Sequence, residues 1–202
     1  MTAVTAGLLA QLVLALITAT LAFSVPARIR SSASGTFGAL NSAAGVVTGA
    51  LMLSGNRGSI TITLALPVEP LTLASSRLGG LFMLLVSIVG ILVSVYGIGY
   101  AHGATASRTS WASLAFFLVG MQLVPAATDS VSFLLMWETM ALGSTMLLLA
   151  EHAHRHQVSS ATIWYSAMSQ LSFLLILGGF TVLAAAAGST SFSAMHGLTP
   201  HS

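Results

Sequence analysis

The sequence predicts an all-α, polytopic membrane protein with about six transmembrane helices and a short extended segment in the outer loop between helices 2 and 3. Three observations predict it. Hydrophobic residues make up 55 % of the chain and charged residues only 5 %, a balance that cannot cover the surface of a water-soluble domain. Several apolar runs reach the ~20 residues that cross a hydrocarbon core. All six arginines fall between those runs, and of the four acids one, Glu138, sits deep inside a run.

The composition also excludes function classes. There is no cysteine, so thiolate-held iron–sulfur clusters, Cys-based zinc sites and disulfides are ruled out. Net charge is only +2, with no lysine, so the chain offers no surface for nucleic acid. It carries no nucleotide fingerprint and no metal-ligand set, so we expect no cofactor and no active site of its own.

In chain order, the first span is Ala6 to Phe23, with Arg28 and Arg30 just behind it and no basic residue ahead, which reads as a retained helix with its N-terminus outside. The second, Phe37 to Leu53, carries Gly45 and Gly49 one turn apart, a face for close packing of another backbone. Between Ser54 and Arg77, Ile60 to Leu66 alternates at period two before Pro67 and Pro70 halt it. That pattern predicts a short extended segment or hairpin on the outer surface, either pairing with a neighbouring subunit along its edge or simply returning the chain to the membrane.

The third span, Leu78 to Tyr100, ends in boundary tyrosines. The fourth, Trp111 to Ala127, contains Gln122, which needs a partner, and Pro125, which should loosen the last turn. Thr128-Asp129-Ser130 then supplies capping oxygens for the fifth span, which runs to Ala150. Capping is preferred to a proton-entry role for Asp129. His152 and His156, at i and i+4, have metal-ligand spacing but no third ligand in view, and are read as part of a solvated loop. The sixth span, Ala161 to Ala187, holds a polar seam of Tyr165, Ser169, Gln170 and Ser172. The chain divides into 1–77, two helices and the outer loop; 78–187, helices 3 to 6; and a tail, 188–202, too short to cross again. The inner loops hold Arg28, Arg30, Arg108 and Arg155 against Arg57 and Arg77 outside, so both termini are expected on the outer side of the cell membrane.

Glu138 is the functional candidate. It lies eight residues beyond Ser130, and at ~1.5 Å per residue that is close to the bilayer midplane. An ionised carboxylate there costs at least ~2.5 kcal/mol, so the side chain must be protonated, paired across a helix interface, or in contact with water. Each alternative except simple interhelical bonding involves handling a proton. Ala141 and Thr145 share its face, small residues that direct it toward protein. Gln122 and Gln170 are the further polar groups that a proton path could use.

Three motifs in register, Val68-Glu69-Pro70-Leu71-Thr72, Val95 to Tyr100 and Phe133 to Leu142, together resemble those of the antiporter-like, proton-translocating membrane subunits of respiratory complex I, of formate hydrogenlyase and related membrane-bound hydrogenases, and of multisubunit cation/proton antiporters. Val68-Glu69-Pro70-Leu71-Thr72 resembles the acid-Pro-Leu-Ser element before that family's third helix. Val95-Tyr96-Gly97-Ile98-Gly99-Tyr100 resembles the Tyr-Ser-x-x-Tyr ending of the helix, and Phe133 to Leu142 resembles the Trp-Glu element of the fifth. The likeness covers roughly Val68 to Leu149; the methionines and Ala141-Leu142-Gly143-Ser144 are more similar to the hydrogenase branch.

The resemblance implies that Glu138 matches the fifth-helix glutamate, which in that family modulates a lysine on a broken seventh helix and couples redox-driven change to proton movement. The departures are the absent lysine, the end of the sequence after its sixth helix, and glutamate at position 69 where the family has aspartate. The expectation is therefore a membrane-arm subunit of a proton-pumping oxidoreductase complex, hydrogenase-type or NADH:quinone-type, with the lipid bilayer and other membrane subunits as partners. The alternatives are a truncated scaffold without transport and a part of a multisubunit cation/proton antiporter.

Overall fold

A computed structural model of the chain describes residues 1–63, 69–101, 106–152 and 156–198, with side chains outside 151–161. Six helices among them are long and apolar enough to cross a bilayer. They are α1 (Ala3–Ser24), α2 (Ala27–Leu53), α3 (Arg77–Tyr100), α4 (Arg108–Leu123, continued by a 3-10 turn at Val124–Ala126), α5 (Ser130–His152) and α6 (His156–Ala187). A two-stranded hairpin, β1 (Ser59–Ile62) and β2 (Leu71–Ala74), joins α2 to α3, and a short α7 (Phe192–His196) follows α6. The protein is a multi-pass membrane protein. The metal reading of His152 and His156, and Leu64 to Val68 in the alternating stretch, lie outside the described residues and side chains.

Local chemistry starts each helix where the pattern changes. Thr2, Ser76 and Ser107 each place a hydroxyl oxygen on the backbone N–H three residues on, at 3.2, 2.9 and 3.0 Å. Asp129 caps α5 in the same way, its Oδ1 accepting from Ser132 N at 2.8 Å. Pro125 ends regular helix in α4: the chain tightens into a 3-10 turn there, as the missing N–H of proline demands.

The second helix begins ten residues before the apolar run that predicted it. Pro26 opens it, and Arg28 and Arg30, read from the sequence as loop residues, are helical. At ~1.5 Å per residue, its 27 residues exceed the hydrocarbon thickness, so the added turns extend toward the surface. Arg30 is buried there, donating to the carbonyls of Ala106 and Val25.

The bundle is packed through small residues and clothed in large ones. The buried positions of α3 are Gly79, Gly80, Met83, Ser87, Gly90 and Ser94, whereas Leu78, Leu85, Val89 and Leu92 are exposed. Lipid offers no hydrophobic reward for hiding leucine, so close backbone approach through glycine and serine is what holds such helices together. Between α4 and α5 the exchange is reciprocal: a side chain at Gly120 would strike the backbone of Met136 and Met140, and one at Gly143 the backbone of Phe117.

The extended segment is a hairpin, with Ser59 opposite Ala74 and Ile62 opposite Leu71. Its β2 side is engaged by the chain itself: Leu73 bridges to Ala127, Thr128 N donates to Thr72 O at 3.2 Å, and Thr72 N donates to Ser132 Oγ at 2.7 Å. The hydroxyls of Thr72 and Ser132 both donate to the Asp129 carboxylate. Asp129 also bridges to Ser191, so this end of the bundle is a cover made from β2, the start of α5 and the α6–α7 turn.

Candidate functional site

Glu138 lies on the face of α5 that meets α6, and is half-buried. Gln170 of α6 donates its side-chain Nε2 to Glu138 Oε1 at 3.0 Å. The second oxygen, Oε2, is shielded from solvent and has no partner among the described residues. Six residues further along α5, Ser144 Oγ and Tyr165 OH share a hydrogen bond of 2.8 Å. Of the predicted seam, Tyr165 and Gln170 therefore join the helices, whereas Ser172 turns back to its own helix at Met168 O.

Aromatic rings close the hairpin side of this interface. Phe133 stacks on Trp137 with centroids 5.7 Å apart and meets Phe180 edge-on at 5.6 Å; Phe192 of α7 completes the group. The Trp-Glu pair thus puts an apolar plug and a carboxylate on successive residues of one helix. Ala141 is buried and Thr145 half-buried, in keeping with a face turned toward protein.

Gln122 is placed differently. It is fully buried between α4 and α2, where it accepts from Asn41 Nδ2 at 3.2 Å and donates to Ser42 Oγ at 3.3 Å. The partner that a membrane-buried amide requires is there, but it belongs to a different interface from Glu138. Asn41, Ser42 and Gln11 were passed over in the sequence. Their signal was available, since polar side chains inside apolar spans seek one another, but one sequence cannot say which pairs will meet.

The described residues contain no group of three or more His, Asp or Glu side chains placed to hold a metal ion. Chemically, the α5–α6 interface offers one carboxyl group with one oxygen fixed by an amide and the other open to a proton, a water molecule or a further polar group.

No family model matches the sequence. Two proteins of Mycobacterium tuberculosis, from strains CDC 1551 / Oshkosh and ATCC 25618 / H37Rv and both described as uncharacterised, are 43 % identical over 152 residues. The match takes in 75 % of this chain and 24 % of each relative, so the chain spans about a quarter of the length of the curated relatives it matches. Among solved structures, a chain of the membrane-bound sulfane sulfur reductase, an archaeal respiratory membrane complex, superposes with a TM-score of 0.72 at 25 % identity. That likeness covers 91 % of this chain and 28 % of the archaeal one.

Proposed function

We propose that this chain belongs to a membrane-arm subunit of a respiratory oxidoreductase complex, and that Glu138 takes part in moving protons through it. The observation that carries the reading is the Glu138 carboxyl group, held at Oε1 by Gln170 and without a partner at Oε2 among the described residues, midway along a membrane-spanning helix. A carboxyl group in hydrocarbon does not leave an oxygen idle without cost, and Gln170 holds this one through its other oxygen. The archaeal respiratory complex with the same helix arrangement supports the assignment to such an assembly. The three motifs that resemble antiporter-like subunits support proton movement as the task, and Ala141-Leu142-Gly143-Ser144 after Trp137-Glu138 favours a hydrogenase-type partner enzyme over an NADH:quinone type.

A second reading, a scaffold that packs laterally and translocates nothing, is favoured by the glycine and serine faces through which the helices meet. Proton uptake by vesicles carrying the assembled complex separates the two. Replacing Glu138 by Gln keeps the shape and the interhelical hydrogen bond and removes the titratable proton. Loss of uptake with assembly intact supports the first reading, and pumping at the wild-type ratio leaves the scaffold.

A further inference from the structure

A second set of buried polar atoms runs through the bundle, away from Glu138. Gln11 Oε1 on α1, Ser34 Oγ and Asn41 Oδ1 on α2, and Ser87 Oγ and Ser94 Oγ on α3 have no hydrogen-bond partner among the described residues. All five residues are at most 2 % exposed. Buried polar groups in native proteins are overwhelmingly paired, with protein or with ordered water, and in a bilayer the penalty for leaving them bare is higher.

These hydroxyls also decline the bond that is easiest for them. Thr18, Thr48, Thr139, Ser172 and Thr181 all donate to the carbonyl four residues back in their own helix. Ser34, Ser87 and Ser94 do not; two of them are aimed between helices. Ser94 Oγ faces Gly38, 2.9 Å from where a side chain would begin, and Ser87 Oγ and Gln11 Oε1 both face Gly45. Ser42 Oγ likewise lies 2.5 Å from where a side chain on Gly90 would begin, so serine and glycine alternate across the antiparallel α2–α3 interface. Between them lie the Asn41–Gln122 and Gln122–Ser42 bonds. From Ser34 to Gly45 the row extends eleven residues along α2, or ~16 Å.

We infer that the α1–α4 bundle binds a file of ordered water along this row, held by Gln11, Asn41, Ser87 and Ser94, and so carries a hydrated polar route into the membrane that does not use Glu138. The chemistry of the open atoms selects the ligand. Two are amide carbonyl oxygens that need a donor, and the rest are hydroxyls that give and accept; a small neutral molecule that both donates and accepts satisfies all of them, and water is the one a membrane interior supplies. No apolar lipid group can do so, and no charged counterpart is called for.

Met83 reports on this directly. It is fully buried, and its Sδ accepts from Gln11 Nε2 at 3.7 Å. Millisecond X-ray radiolysis of membranes containing the protein generates hydroxyl radicals from water wherever it is bound, and methionine is readily oxidised to the sulfoxide by them. With water in the row, Met83 is labelled in the wild type, labelling falls several-fold in Gln11→Leu and in Ser87→Ala, and it stays at the wild-type rate in Glu138→Gln. Two variants guard against misfolding of either. Wild-type Met83 that takes up no label above a non-irradiated control overturns the inference, as does labelling that is equal in the wild type and in both row variants. The wild-type rate in Glu138→Gln holds whether or not that residue moves protons, so the two proposals fail separately.

Discussion

Gln170 donates to one oxygen of Glu138 across the α5–α6 interface, at 3.0 Å, and the other oxygen has no partner among the described residues. The amide fixes the carboxyl group without neutralising it. Substituting Gln170→Leu removes that bond and leaves both oxygens open, and an unsatisfied buried acceptor costs about 1–3 kcal/mol. We expect the α5–α6 pair to loosen and proton uptake to fall, with Gln170→Glu still more harmful because it sets two carboxyl groups against each other. Uptake in vesicles of the assembled complex and thermal melting of the solubilised complex check both effects; an unaffected Gln170→Leu variant removes Gln170 from the site.

Glu138→Gln is expected to abolish most proton uptake while leaving the amount of complex in the membrane unchanged. Blue-native electrophoresis measures the second and a pH-sensitive dye in vesicles the first. Loss of both together would make Glu138 a packing residue.

Asp129→Ala removes the cap of α5 and the carboxylate that receives the Thr72 and Ser132 hydroxyls. Cap loss alone costs about 1 kcal/mol, and the hydroxyls left behind add to it, for about 2 kcal/mol in all. A lowered melting temperature with normal proton uptake per folded complex is the expected result. Reduced uptake at unchanged stability would instead return Asp129 to the proton-entry role.

Gly120→Val should separate α4 from α5. A side chain there meets the N of Met140 at 2.7 Å and the O of Met136 at 2.9 Å, and backbone cannot rotate away as a side chain can. Overpacking of this kind costs about 1–3 kcal/mol. The measurement is yield and melting temperature beside Gly99→Val, which has open space around its α-carbon and should be tolerated.

Topology is open to a direct test. A reporter that is active only in the cytoplasm, fused after His154, should give signal, and one fused after Arg57 should not. The reverse pattern inverts the orientation expected from the arginines.

Much of the architecture was legible because each helix answers to its own stretch of sequence: the six apolar runs, the cap at Asp129 and the break at Pro125 are local events. The start of α2 was not. Hydropathy falls off before Phe37, yet Ser34 and Gly35 are buried, because helix packing in lipid is driven by small residues that a hydropathy scale does not reward. Glu138 could be found as an acid in a span, and Gln170 as part of a polar seam, but their bond depends on how two helices rotate against each other. Gln122 was grouped with them on polarity alone, and its Asn41 and Ser42 partners show that polarity does not specify an interface.

The cover at the hairpin end fixes an order of assembly. Thr190 donates its hydroxyl to Glu69 and Asp129 bridges to Ser191, so residues separated by up to 121 positions must meet. When the hairpin emerges after α2, its partners beyond α6 have not yet entered the membrane. During synthesis the hairpin therefore waits without the Thr190 partner of Glu69 through the insertion of four further helices, and the cover seals only after the sixth has crossed. An insertion that stalls after α5 would leave an open, polar-lined end exposed to proteases, while one that reaches Ser191 would not.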